Sequence, residues 1–103
     1  MTNPAPFQIH ASDSQLEYLK ARLENARWPE QETVSDWSQG TPLAYMQEIS
    51  AYWVRDYDWR TREAKLNTLD QFRGEADGFG LHFVHMRSPL PQAKPLLLSH
   101  GWP

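Results

Sequence analysis

Cysteine is absent from these 103 residues. That excludes disulfides, thiol nucleophiles and cysteine-based zinc sites, and it leaves the redox compartment undetermined while permitting a reducing cytosol; a cytoplasmic location is the expectation. Long apolar runs are missing too. Nowhere do about eighteen apolar residues follow one another, and Met1 to His10 holds no basic region leading into an apolar stretch, so neither a signal peptide nor a membrane anchor is expected. An excess of positive charge is also lacking: ten Lys and Arg stand against thirteen Asp and Glu, a formal charge of −3. With no basic stripe to meet phosphates, nucleic acid is not an expected partner. What the chain does have is 40% hydrophobic and 22% charged residues, the balance of a globular protein. Five Trp, four Tyr and four Phe are the unusual component, read as packing residues because large rings bury much area.

Phe7-Gln8-Ile9-His10 alternates apolar and polar residues as a short edge strand does. Ser12-Asp13-Ser14-Gln15 then reads as a capping box that starts a helix. Leu16, Leu19, Leu23 and Ala26 follow at helical spacing, and the helix is expected to end before Trp28-Pro29. Pro29 to Gly40 is polar apart from Val34 and Trp37, an ordered loop. Thr41-Pro42 restarts helix, a hydroxyl cap followed by proline at the first helical position. Leu43, Met46, Ile49 or Ser50, and Trp53 trace its inward face, which Tyr45 and Tyr52 broaden enough to suggest burial on more than one side. Asp58 caps a third short helix running from Trp59 to about Leu66.

A β pattern comes next: Gln71 to Ala76, the turn dipeptide Asp77-Gly78, then Leu81 to Met86, together a hairpin. A proline-punctuated loop from Ser88 to Pro95 leads to Leu96-Leu97-Leu98-Ser99, a continuous apolar run suited to a central strand covered on both faces. Three helices followed by three strands form the order, with no internal repeat.

The closing His100-Gly101-Trp102-Pro103, directly after that apolar run, resembles the H-G-x-P motif of α/β-hydrolases that open epoxides or dehalogenate alkyl halides. Arg27-Trp28-Pro29, Trp37 with Gly40, Tyr52-Trp53, Tyr57-Asp58-Trp59-Arg60 with Glu63, Leu66-Asn67, Gln71-Phe72, Asp77-Gly78 and His82-Phe83 sharpen it. In this order and spacing they resemble the N-terminal segment of microsomal-type epoxide hydrolases, over roughly Phe7 to Pro103. Asp70 departs from the pattern, standing where a proline is expected before the Gln-Phe pair. The anchor that precedes this segment in vertebrate members has no counterpart, which suggests a soluble, bacterial-style relative. The resemblance implies an α/β fold, as a fragment: residues 1–70 are an N-terminal helical segment, and 71–103 the first strands of an incomplete α/β-hydrolase core.

In the resembled family an Asp carboxylate attacks an epoxide carbon while lid tyrosines hydrogen-bond the epoxide oxygen. A His with an acidic partner then activates water to hydrolyse the ester intermediate, and a vicinal diol leaves. The expected partner is thus a small-molecule epoxide. No cofactor or metal is expected, since carboxylates, histidine, tyrosines and water carry the chemistry. The resemblance gives Trp102 the role of oxyanion-hole donor through its backbone N–H. Gly101 would allow the close turn, Pro103 would rigidify the loop through a cis bond to Trp102, and His100 would support the loop by hydrogen bonding. The Asp nucleophile, lid Tyr residues and catalytic His are not found in this chain, so a longer reading frame with an Asp-centred nucleophile elbow is expected.

Other residues invite chemistry but have simpler roles. His82 and His85 are three apart on a strand, hence on opposite faces, which favours packing over joint metal binding. His10 reads as a surface residue. Asp58 has a capping role and Asp77 a turn role, and Glu63 is structural, with Arg60 or Arg62 as an ion-pair partner. The competing reading is a non-catalytic helical interaction module or the remnant of a truncated gene, which a stop codon directly after Pro103 would favour. Either way, an apolar Leu96–Ser99 edge left uncovered promotes self-association. The isolated 103-residue chain is therefore expected to elute as oligomers or aggregates in size-exclusion chromatography with light scattering; a monodisperse, stable monomer would contradict this.

Overall fold

The structure, a computed structural model, describes residues 4–99 and 101–102. Its elements are β1 (Ala5–Pro6), α1 (Asp13–Glu24), α2 (Leu43–Arg55), α3 (Trp59–Leu66), β2 (Gln71–Ala76) and β3 (Phe79–Val84). The chain forms two compact units, Ile9–Asn67 and a second made of Met1–Gln8 with Thr68–Pro103.

In the helical unit, α1 begins as its sequence dictates. The Ser12 hydroxyl accepts the Gln15 N–H at 3.2 Å, and the Gln15 side chain accepts the Ser12 N–H at 2.8 Å, the reciprocal box that satisfies two otherwise orphaned donors. Asn25 ends the helix, its side-chain amide donating to the Ala21 carbonyl at 2.8 Å. α2 starts differently from the expectation. Pro42 occupies the cap position and no Thr41 cap forms; the Leu43 N–H donates instead to the Glu32 carboxylate, 2.8 Å away, from the preceding loop. A carboxylate at a helix N-terminus also complements the helix dipole, which explains why a loop acid displaces the adjacent hydroxyl. Asp58 caps α3 as read from the sequence, accepting from the Thr61 N–H at 3.2 Å and the Thr61 hydroxyl at 2.5 Å.

α1 packs against α2. The inward face of α2 is set by Leu43, Ser50, Ala51 and Val54, the positions most withdrawn from solvent, while Met46, Ile49 and Trp53 remain about two-fifths exposed. Of the stripe expected to face inward, Leu43 and Ser50 do so, while Met46, Ile49 and Trp53 are more exposed than Ala51 and Val54. Among the described residues no apolar side chain is buried; the buried ones are Ser50, Glu63 and Gln71.

The sheet unit is a three-stranded antiparallel sheet in the order β1-β2-β3. Asp77 and Gly78 form the hairpin turn with φ of 52° and 80°, the two left-handed residues that a type I′ turn requires and that match the twist of the flanking strands. Register runs from Gln71 opposite Val84 to Ala76 opposite Phe79. It places Phe72 and Phe83 together on one face, stacked at 5.7 Å, and Arg73 opposite His82 on the other. Phe7 covers that second face, its ring 5.0 Å from the Arg73 guanidinium and edge-on to His82 at 5.4 Å.

Two expected strands are corrected. The edge strand is Ala5–Pro6, continued only by the Phe7 N–H donating to the Gln71 carbonyl, and not Phe7 to His10. Beyond Gln8 the main-chain groups of Ile9 and Ala11 are taken by side chains of α3 and its C-cap. Leu96 to Ser99 is extended chain without a strand partner among the described residues, and Leu96, Leu97 and Leu98 are 80%, 91% and 83% exposed. A strand is defined by its neighbour, and no segment here supplies the ladder its N–H and C=O groups need. In the hairpin, replacing Gly78 by Val puts a β-branched residue into left-handed backbone. The expected cost is about 1–2 kcal/mol, measured as a lower urea midpoint with an unchanged slope.

Candidate functional site

Of the four residues read as the oxyanion loop, the structure describes Gly101 and Trp102; His100, Pro103 and the bond expected to be cis lie outside the described residues. Trp102 is 98% exposed. Gly101 is not among the glycines with positive φ, and a Cβ built on it would meet nothing within 4 Å. The loop leading there is ordered locally by the Leu90 N–H donating to the Ser88 hydroxyl at 3.1 Å and the Ala93 N–H to the Leu90 carbonyl at 3.2 Å.

The carboxylates have structural partners. Thr61 holds the Asp58 carboxyl below its ordinary range through its hydroxyl and its N–H, consistent with a cap. Glu32 is likewise lowered by the Leu43 N–H, and Asp77 lies in the turn. The His82 ring nitrogen Nε2 lies 2.9 Å from the Gln71 side-chain oxygen, and His85 lies beside Phe72 at 6.4 Å, so both histidines serve packing. Among the described residues no three His, Cys, Asp or Glu gather in a metal-binding group. A shallow groove of about 320 Å³ lies between Leu16, Leu19 and Leu23 of α1 and Trp53, Tyr57 and Trp59. Lys20, Arg55, Asp56, Asp58 and Arg60 give it a rim of mixed charge.

One constellation was anticipated from the sequence only in its Arg60–Glu63 ion pair, not in its main-chain contacts. Three residues on one face of α3 and its C-cap, Arg60, Glu63 and Asn67, bind the extended main chain that precedes α1. The Asn67 carboxamide accepts the Ile9 N–H and donates to the Ile9 carbonyl, both at 2.8 Å. Two residues on, Glu63 accepts the Ala11 N–H at 2.6 Å, and Arg60 donates to the Ala11 carbonyl at 2.7 Å. Arg60 also bridges Glu63 at 2.7 Å and pairs with Asp13. The spacings agree: four helical residues rise about 6 Å, and two extended residues span about 6.7 Å. The Trp59 indole N–H adds a third donor to Glu63, at 3.2 Å. A polar stripe at positions 60, 63 and 67 was the available signal, but its main-chain partners lie 49 to 58 residues away.

A helical segment followed by a β-hairpin and an exposed apolar run leading to the H-G-W-P sequence is the arrangement expected at the start of an α/β-hydrolase. Residues 4–103 match the family described as "Epoxide hydrolase N terminus", and the chain belongs to it. It is 53% identical over 98 residues to the "Putative epoxide hydrolase" of Stigmatella aurantiaca (strain DW4/3-1) and 35% identical over 102 residues to "Epoxide hydrolase 1" of Sus scrofa. Each match covers 95% of this chain and 22% of the relative, so the chain spans about a fifth of the length of these curated relatives. The solved structure of an enantioselective mutant of the Aspergillus niger epoxide hydrolase superposes with a TM-score of 0.79 at 28% identity, covering 88% of this chain and 25% of that one. These neighbours have the α/β-hydrolase fold, and no helix among the described residues is long and apolar enough to cross a membrane.

The Asn67 contact has a directional consequence. Asn67→Ala removes both bonds to Ile9 and is expected to cost about 1–2 kcal/mol; Asn67→Asp is expected to cost more, about 2–3 kcal/mol, because a carboxylate then faces the Ile9 carbonyl. Chemical denaturation of the two variants side by side checks the order.

Proposed function

We propose that this chain is the N-terminal region of an enzyme that hydrolyses epoxides to vicinal diols, and that it contributes one oxyanion donor, the Trp102 backbone N–H. The observation that carries the reading is the family match over residues 4–103, which runs through the His100-Gly101-Trp102-Pro103 motif. On this reading the Asp nucleophile, the lid tyrosines and the hydrolytic His come from sequence outside these residues. The Asp oxygen bonds to an epoxide carbon, the C–O bond of the ring breaks, and a lid tyrosine gives the departing oxygen its proton. Water, deprotonated by the His, adds to the ester carbonyl carbon. The tetrahedral intermediate then expels the second diol oxygen, which takes the proton held by the His, and the acid proton passes to the tyrosinate, restoring the carboxylate and the tyrosine.

Negative charge builds on the carbonyl oxygen only in the second half, so a fixed N–H directed there accelerates ester hydrolysis rather than ester formation. Trp102 fits such a donor because what serves is its main chain, leaving its side chain for packing. Gly101, His100 and Pro103 shape the loop that carries it. The outward apolar stripe of α2, with Tyr45, Tyr52 and Trp53, is the surface on which the remainder of the enzyme packs. The substrate is a small epoxide, whose identity is set by a pocket built from the lid.

The test separates the two half-reactions in the full-length protein. Trp102→Pro deletes the amide and is expected to slow hydrolysis of the alkyl-enzyme about 10²–10³-fold while changing its formation little, so the ester accumulates in single-turnover experiments. Trp102→Ala keeps the amide and is expected to stay within about tenfold of the parent. Equal hydrolysis rates in the parent and Trp102→Pro would refute the assignment.

A further inference from the structure

The main-chain clamp on α3 contains a single titratable acceptor for the strap that it holds. Glu63 is buried, and both its oxygens are engaged: Oε1 accepts the Ala11 and Trp59 N–H groups, and Oε2 accepts Arg60. A carboxylate accepts at both oxygens, whereas a carboxylic acid must donate from one of them. Protonation at Oε1 displaces the Ala11 and Trp59 N–H groups; protonation at Oε2 sets an O–H against the Arg60 guanidinium. Arg60 is the cation that faces Glu63, and the other acid on that cation is Asp13 of α1, which is exposed. Glu63 therefore answers to these two charged groups, together with the Trp59 indole and the Ala11 amide.

We propose that residues 9–11 form an acid-sensitive latch, held on α3 by the Glu63 carboxylate and released locally, before the helices themselves melt, when that carboxylate takes up a proton. The Ala11 N–H, the Arg60 guanidinium and the Trp59 N–H, in that order, all favour the charged form over desolvation and hold Glu63 below the ordinary glutamate range. Because the folded value is lowered, the contribution is complete above the unfolded value of about 4.3 and is lost as pH falls through the folded one. The latch thus stays closed at neutral pH and opens only in acid.

The measurement is a pH titration of the full-length protein labelled with ¹⁵N-alanine and ¹⁵N-tryptophan. In the parent, the Ala11 amide and the Trp59 indole signals are expected to move together, at a pH below the ordinary glutamate value, while alanine signals of α1 and α2 stay in place. Asp58→Asn is the control: Asn caps as well as Asp but does not titrate, so the Ala11 and Trp59 transition persists if Glu63 is responsible. Glu63→Gln imitates the protonated acid. Its Ala11 amide is expected to exchange with solvent at least tenfold faster than the parent's at pH 7, with no further change in acid. A transition that survives in Glu63→Gln, one that vanishes in Asp58→Asn, or global unfolding with no earlier movement of Ala11 would each overturn the proposal.

Discussion

A buried carboxylate in a unit that buries no apolar side chain has unusual leverage, and Glu63 is that group. α3 has only eight residues, too few to persist as an isolated helix in water. Its Asp58 cap supports one end, and Glu63, Arg60 and Asn67 bind it to the chain before α1. Ile9 and Ala11 are thereby relieved of unpaired main-chain groups, and α1 begins directly after them at its Ser12 cap. Satisfied polar contacts of this kind are stiff because each alternative geometry leaves a buried donor or acceptor unpaired. They position the start of the helical unit where the apolar contacts alone would leave it free to slide.

The apolar residues have a complementary distribution. On α2, Leu43, Ser50, Ala51 and Val54 are the positions most withdrawn from solvent, and the large side chains Tyr45, Met46, Ile49, Tyr52 and Trp53 remain substantially exposed. Together with Leu96 to Leu98 and Trp102, they form more outward-facing apolar surface than an isolated soluble domain ordinarily presents. The chain belongs to the epoxide hydrolase N-terminus family and spans about a fifth of the relatives it matches. On the reading proposed above, the rest of the enzyme covers these surfaces, and the same packing gives the Trp102 amide its direction.

Legibility followed distance along the chain. The Ser12 capping box, the Asp58 cap and the Asp77-Gly78 turn were read correctly because each is an interaction among residues two to four apart, written in residue type and spacing. The cap of α2 was misread because its acceptor, Glu32, lies eleven residues back, beyond any local pattern. The first strand was misplaced for a related reason: alternation in Phe7 to His10 marks extended chain, but whether its groups pair with a strand or with side chains depends on what arrives beside it. The H-G-W-P motif was legible as a pattern of residue types, and its oxyanion role came from resemblance rather than from a geometry this chain displays.

The sequence by itself determined where α1 and α3 start, where the hairpin turns, and which family the motifs resemble, because these caps, the left-handed turn and motif spacing are short-range constraints carried by individual residue types. Tertiary structure decided which face of α2 turned inward, which groups took up the Ile9 and Ala11 main chain, and that Glu63 became a buried acceptor. Those outcomes depend on partners up to 58 residues apart, and a buried polar group accepts only an arrangement in which its hydrogen bonds are satisfied.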